Sequence, residues 1–255
     1  MLLESLEHGI LLVTLNRPAV RNAINSTMMG ELLELWQEIG TQPGLHCAIL
    51  TGAGEAFSAG ADLKERNGLT VETWREQHLV LEQAMEAMVD CPVPIIAAVN
   101  GAAFAGGLEL VLACDFSYAS TKARFAMPEV KVGIMPGAMG TQILPRACGV
   151  SRAKEICLTG EPFSAADALA WGIVNRVCEP ELLMSEVVNV ARTIGSNAPL
   201  SVRQVKRAIL DGVGTDLKSG YRIELEAYNQ LIPTSDREEG IRAFNEKRRP
   251  KFEGR

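Results

Sequence analysis

The stretch NGAAFAGGLELVLACDF, Asn100–Phe116, decides how this chain is read. A glycine pair, Gly106–Gly107, opens a run of Leu, Val and Ala, and one carboxylate, Glu109, stands inside it. An ionised carboxylate among apolar side chains is costly to bury unless it has a partner or a task. A second segment, ARFAMPEVKVGIMPGAMGTQILPR, Ala123–Arg146, has the same character and carries Glu129. Two acids in one apolar neighbourhood would push their pKa values apart and leave a proton donor beside an acceptor near neutral pH. Their spacing alone does not bring them together.

Working outward, Pro94–Val99 (PIIAAV) reads as a buried strand, Asn100–Gly101 as a turn, and Leu108–Cys114 as a short buried helix. The first N–H groups of a helix are unpaired, and the helix dipole favours negative charge there. Glycine lets a ligand come close to that backbone. Gly106 N–H is therefore a candidate donor to an oxyanion, with Glu109 about one turn further along. The loop AFSAGADLKE, Ala56–Glu65, offers a second set of small residues with free N–H groups. Two such donors converging on one carbonyl oxygen would form an oxyanion hole.

Further strands are expected at Gly9–Leu15, His46–Thr51 and Phe116–Ala119, and helices at Thr27–Gly40 and Val71–Asp90. Strands separated by helices indicate βαβ units and a largely parallel sheet. After Ile173–Val177 the pattern turns helical, with Glu181–Ser196, Ser201–Asp211, Leu217–Leu231 and Asp236–Lys247 punctuated by Pro180, Pro199 and Pro233. No internal repeat is visible.

Composition narrows the function classes. A chain of 255 residues that is 47% hydrophobic and 22% charged suits a soluble globular protein. Its net charge of −6 argues against electrostatic nucleic-acid binding. The six cysteines are scattered without a C-x-x-C pair and read as reduced core thiols, which points to a cytoplasmic protein. His8, His46 and His78 have no metal-ligand spacing, so no metal is expected. The N-terminus carries acids before its apolar run, unlike a secretory signal, and no run is long enough for a membrane span. TGAGEAF, Thr51–Phe57, half-matches a dinucleotide fingerprint but has Phe57 where the third glycine belongs. Ser58 lies outside any G-x-S-x-G, which disfavours a serine hydrolase. Asp115 reads as a buried structural acid satisfied by backbone N–H groups.

FSAGADLKE, NGAAFAGGLELVLACD, MPEVKVGIMPGAMGTQILPR and the end FNEKRRPKFEGR together resemble the enoyl-CoA hydratase/isomerase (crotonase) family over nearly the whole chain, from NRPAVRNAI at Asn16–Ile24 onward. The resemblance implies an α/β fold: a ββα spiral core, residues 1–195, followed by a C-terminal helical region, 196–255, that packs in a trimer or in a hexamer of paired trimers. It implies that Ala61 and Gly106 hold the thioester oxygen and that Glu109 and Glu129 carry acid/base chemistry. Ala59, Asp62, Leu63 and Lys64 match the segment along the CoA moiety, Gly137 a position near the acyl pocket, and Phe244 and Lys247 C-terminal residues reaching the nucleotide end, in a neighbouring subunit's site or their own. The implied reaction adds water across the 2,3-double bond of a 2-enoyl-CoA, as in fatty-acid β-oxidation. No cofactor is needed, because coenzyme A belongs to the substrate. Alternatives within the family are double-bond isomerisation, methylglutaconyl-CoA hydration and dehydration of a carnitinyl-CoA-type substrate. A relative that binds RNA supplies a distant one.

Four departures stand out. Ala105 replaces the first of three glycines common in the family, Met139 stands where glycine is usual, Ile143 replaces a common arginine, and Ala19 replaces a common basic residue. The bulk of Met139 is expected to narrow or reshape the acyl pocket.

Overall fold

The computed structural model describes residues 1–255 and holds ten strands, numbered here in chain order. Six form one sheet in the order β1 (Leu2–Leu6), β2 (Ile10–Leu15), β3 (Cys47–Gly52), β5 (Ile95–Val99), β7 (Phe116–Ser120) and β10 (Arg176–Cys178). Only the β1–β2 pair is antiparallel. Four short strands make a second sheet: β4 (Ala56–Ser58), β6 (Ala102–Phe104), β8 (Arg124–Ala126) and β9 (Phe163–Ser164).

The helices of the core are α1 (Ser26–Ile39), α2 (Leu63–Arg66), α3 (Val71–Val89), α4 (Gly106–Ala113), α5 (Gly140–Cys148), α6 (Val150–Thr159), α7 (Ala165–Ala170) and α8 (Pro180–Gly195). They are followed by α9 (Pro199–Gly212), α10 (Leu217–Leu231) and α11 (Ser235–Asn245). The chain therefore winds through three similar turns, each a strand of the first sheet, a short strand of the second, and a helix. These are β3–β4–α2/α3, β5–β6–α4 and β7–β8–α5. This repeat escaped the sequence reading because the helices that close the turns differ in length and the second-sheet strands are only three residues long.

The first sheet is apolar on both faces, as a parallel sheet covered on both sides must be. Ile10, Cys47, Ile49, Ile96 and Ala98 meet Leu183, Val187 and Ala191, a stripe at four-residue spacing on α8. The alternate residues Leu11, Val13, Leu50, Ile95 and Ala97 face the main core with Met28, Leu32 and Trp36 of α1 and with Met85 and Met88 of α3. α9 docks through Lys206, which reaches Asp115 at 2.8 Å and Val93 O at 3.3 Å. Asp115 also accepts from Ile95 N at 2.7 Å, so it is structural as expected, although it sits near the surface with its side chain only partly covered.

The turn from β6 into α4 determines where the second segment's backbone points. A Cβ on Gly107 would lie 2.4 Å from Ser58 O, so α4 seats directly against the β4 strand end and no larger residue fits there. Ala105, the residue before α4, has φ +51°, a conformation that favours glycine and costs an alanine of order 1–3 kcal/mol. Replacing it by glycine relieves that strain against an entropic cost of about 0.5–1 kcal/mol. Ala105→Gly is expected to raise the melting temperature by about 2–4 °C at fixed protein concentration in a thermal scan. A lowered melting temperature would show that the turn is not strained.

Candidate active site

The two carboxylates separated by twenty residues in sequence border one cavity of about 570 Å³. Glu109, in the first turn of α4, is 3% exposed. Its Oε1 accepts from Ala138 N at 2.8 Å and from Gly140 N at 2.9 Å. Both amides come from the segment that opens α5, where Met139 takes a left-handed conformation, φ +69°. A Cβ on Gly140 would lie 2.7 Å from the same Oε1, so the close approach requires glycine. Burial pushes the Glu109 pKa up, while the two amides and the field of Arg66 pull it back.

Glu129 begins a single 3₁₀ turn after β8 and is 5% exposed. Neither of its oxygens has a hydrogen-bond partner in the protein. Burial pushes its pKa up to about 7; its own backbone N–H, which lies outside hydrogen-bonding geometry, pulls it back a little, and the Glu109 charge adds to the rise. The two acids therefore differ in state for a physical reason: one is held by amide donors, the other is buried without any.

The other two nominated residues, Ala61 and Gly106, lie side by side on the lining of the same cavity. Ile24 N donates to Gly60 O and Asp62 N to Ile24 O, which leaves Ala61 N–H on the opposite side of that bridge. Gly106 N–H is the first of α4, and neither it nor Ala61 N–H donates to any protein acceptor. A Cβ built on Gly106 would stand 3.8 Å from Ala61 N, so the two amides are near neighbours. A web around Asn22 fixes this arrangement. Its side chain donates to Ala53 O and Ala56 O, and its carbonyl accepts from Ser58 Oγ at 2.8 Å.

Of the residues matched to CoA contacts, Ala59, Leu63 and Gly137 line the cavity. Asp62 caps α2 and pairs with Arg17 at 2.9 Å, so it fixes the loop that presents Ala61. Lys64 points to solvent on α2, and Phe244 (84% exposed) and Lys247 lie outside the cavity lining in the single chain. Met139 does not narrow the pocket. Its left-handed backbone turns its side chain away from the Glu109 side, into the groove between α4, α5 and α9.

Arg66, Trp74 and His78 also line the cavity, and the sequence reading passed over them. Trp74, His78 and Leu81 follow helical spacing on α3 and continue the stripe that becomes core at Met85 and Met88. The available signal was a polar residue interrupting an apolar stripe.

No helix is long and apolar enough to cross a membrane. The chain matches the enoyl-CoA hydratase/isomerase family over residues 5–255. YngF of Bacillus subtilis, itself named only at the level of this family, is 46% identical over 244 residues, 95% of this chain and 94% of that protein. The short-chain-enoyl-CoA hydratase of Clostridium acetobutylicum is 39% identical, with 97% of this chain and 95% of that protein covered. The crystal structure of an enoyl-CoA hydratase from Bacillus anthracis superposes with a TM-score of 0.95 at 42% identity, covering 97% of this chain and 96% of that one. With the three-turn spiral, the neighbouring amides and the paired acids, these matches establish that the chain belongs to the enoyl-CoA hydratase/isomerase family.

Proposed function

We propose that the protein hydrates 2-enoyl-CoA thioesters, and the observation that carries the reading is the opposite environment of its two cavity carboxylates. Conjugate addition of water builds negative charge on the thioester oxygen as C3 is attacked. Ala61 N–H and Gly106 N–H, neighbouring amides without protein acceptors, would stabilise that charge, and removing one such donor typically costs about 10²–10³ in rate. Glu109, fixed through Oε1, keeps Oε2 for a water and takes its proton as the oxygen bonds to C3. Glu129, with a pKa near 7, holds the proton that C2 receives. The product leaves with the protonation of the two acids exchanged, and solvent resets them. The C. acetobutylicum relative, named as a short-chain-enoyl-CoA hydratase, supports this reaction over isomerisation or dehydration.

Ala59 and Leu63 border the path by which a CoA ester would enter, with Asp62 and Lys64 at its edge. Phe244 and Lys247 would reach a nucleotide only across a subunit boundary. The apolar exposure of α9–α11, including Val213, Leu217 and Tyr221, supports a trimer or a hexamer of trimers built through residues 196–255.

Glu109→Gln and Glu129→Gln should each retain binding of a saturated acyl-CoA and lower kcat for crotonyl-CoA by about 10²–10⁴, followed by loss of enoyl absorbance. Near-wild-type turnover in either would remove the two-acid scheme. Gly140→Ala, which displaces Glu109 Oε1, should lower kcat more than it alters KM.

In the wild type, kcat/KM for hydration should fall as pH rises through about 7, where Glu129 loses its proton. The same residue links to stability. Between the unfolded value of 4.5 and the folded value of about 7, the folded state holds a proton that the unfolded chain has released. Stability therefore declines as pH rises across that window. Glu129→Gln should gain on the order of 2 kcal/mol over wild type at pH 8 and little at pH 4, measured by denaturant unfolding. An equal gain at both pH values would assign the effect to packing.

A further inference from the structure

Arg66 is the one cation on the cavity wall with no anionic partner. It is 8% exposed, and its Nη2 is sealed from solvent without a hydrogen bond. No carboxylate oxygen stands within the 4.0 Å of an ion pair. The acids around it are engaged elsewhere: Asp62 with Arg17, Glu65 with Ser26 N and Gln77, Glu82 with His78. Lys131, the other cation on the wall, is paired with Glu161 at 2.7 Å. Burial weakens the charged form of Arg66, and the fields of Glu65 and then Glu109 offset this in part. Neither carboxylate pairs with it: Glu65 is engaged as above, and the bonded oxygen of Glu109 is committed to two amides.

The guanidinium is held in place by Trp74, whose ring centre lies 4.8 Å from Cζ. Such a stack offsets only part of the cost of burying a charge without a countercharge. The same cavity wall carries the apolar side chains of Leu63, Leu81, Ile134 and Met135. An unbranched hydrocarbon tail would leave this charge unpaired and remove its remaining water.

We propose that Arg66 is a specificity-determining residue that receives a carboxylate carried by the acyl group, so that the preferred substrates are 2-enoyl-CoA thioesters of short dicarboxylic acids. The inference deepens the hydratase reading and rests on it for the site. A planar guanidinium presents paired donors that match a carboxylate in a two-pronged contact. The carboxylate supplies the missing countercharge, and the apolar wall holds the methylenes between it and the thioester.

Binding of unreactive saturated esters tests this independently of turnover. Calorimetry with glutaryl-CoA against valeryl-CoA, and adipyl-CoA against hexanoyl-CoA, compares chains of equal carbon number with and without the carboxylate. Wild type should bind at least one dicarboxylic ester about 10–100-fold more tightly than its match, the range expected for a charged hydrogen bond. Arg66→Met should bring that ratio close to one, and Arg66→Lys should retain part of it. Equal binding of both members of each pair by wild type, or Arg66→Met weakening both members by the same factor, would overturn the proposal. Should the preference hold while the matching 2-enoyl esters show no hydration, the hydratase reading falls and the carboxylate subsite stands.

Discussion

The hold of two backbone amides on Glu109 is the constraint on which the rest of the site depends. Ala138 N–H and Gly140 N–H come from the turn after β8, whereas Glu109 rides on α4, in the preceding turn of the spiral. The contact therefore stitches one ββα turn to the next. Without it, α4 would carry an unsatisfied buried carboxylate, which is costly enough to displace the helix or force protonation of the acid. With it, one carboxylate oxygen is fixed and the other faces the cavity.

Glu129 is the counterpart, and its lack of protein partners is what suits it to hold a proton near neutrality. Two acids with equal hydrogen bonding would still ionise in two steps, but neither would be fixed as the donor or as the acceptor. Here one side of the cavity supplies amide donors and the other side none. The price is carried by the fold, because a carboxylate that ionises in that pocket does so without a partner. Arg66 tilts the field further toward an ionised Glu109 and thereby sharpens the division between the two acids.

Much of this was legible in residues 100–146, because glycines, prolines and lone acids in an apolar run report backbone geometry and burial directly. Strands β2, β3, β5 and β7 and helices α1, α3 and α8–α11 fell close to their expected limits because their apolar patterns are long and regular, whereas the edge strands β1 and β10 were not expected. The second sheet was not legible: strands of two or three residues give no alternation to read. Arg66 was hidden for another reason. In ADLKERNG it looks like any solvated helix residue, and only the closing of α3 over it through Trp74 makes it a buried cation. Met139 shows the converse, since a bulky residue close to the site in sequence sends its side chain to the far side of the backbone once its φ is positive.

The non-glycine residues with positive φ are not scattered. Of the six, Arg21 and Asn22 lie in the loop that braces Ala59 and Gly60, Ala105 precedes the Gly106 amide, and Met139 sits between the two amides that hold Glu109. Each of these four turns a peptide so that an N–H or a carbonyl faces the site's framework instead of continuing a helix or strand. Ordinary backbone would pair those groups within secondary structure and leave nothing to aim at a ligand oxygen or a carboxylate. Strain at these positions is thus the structural cost of exposing unpaired amides in a buried place, and a chain that relieved all of it would retain the spiral and lose the geometry.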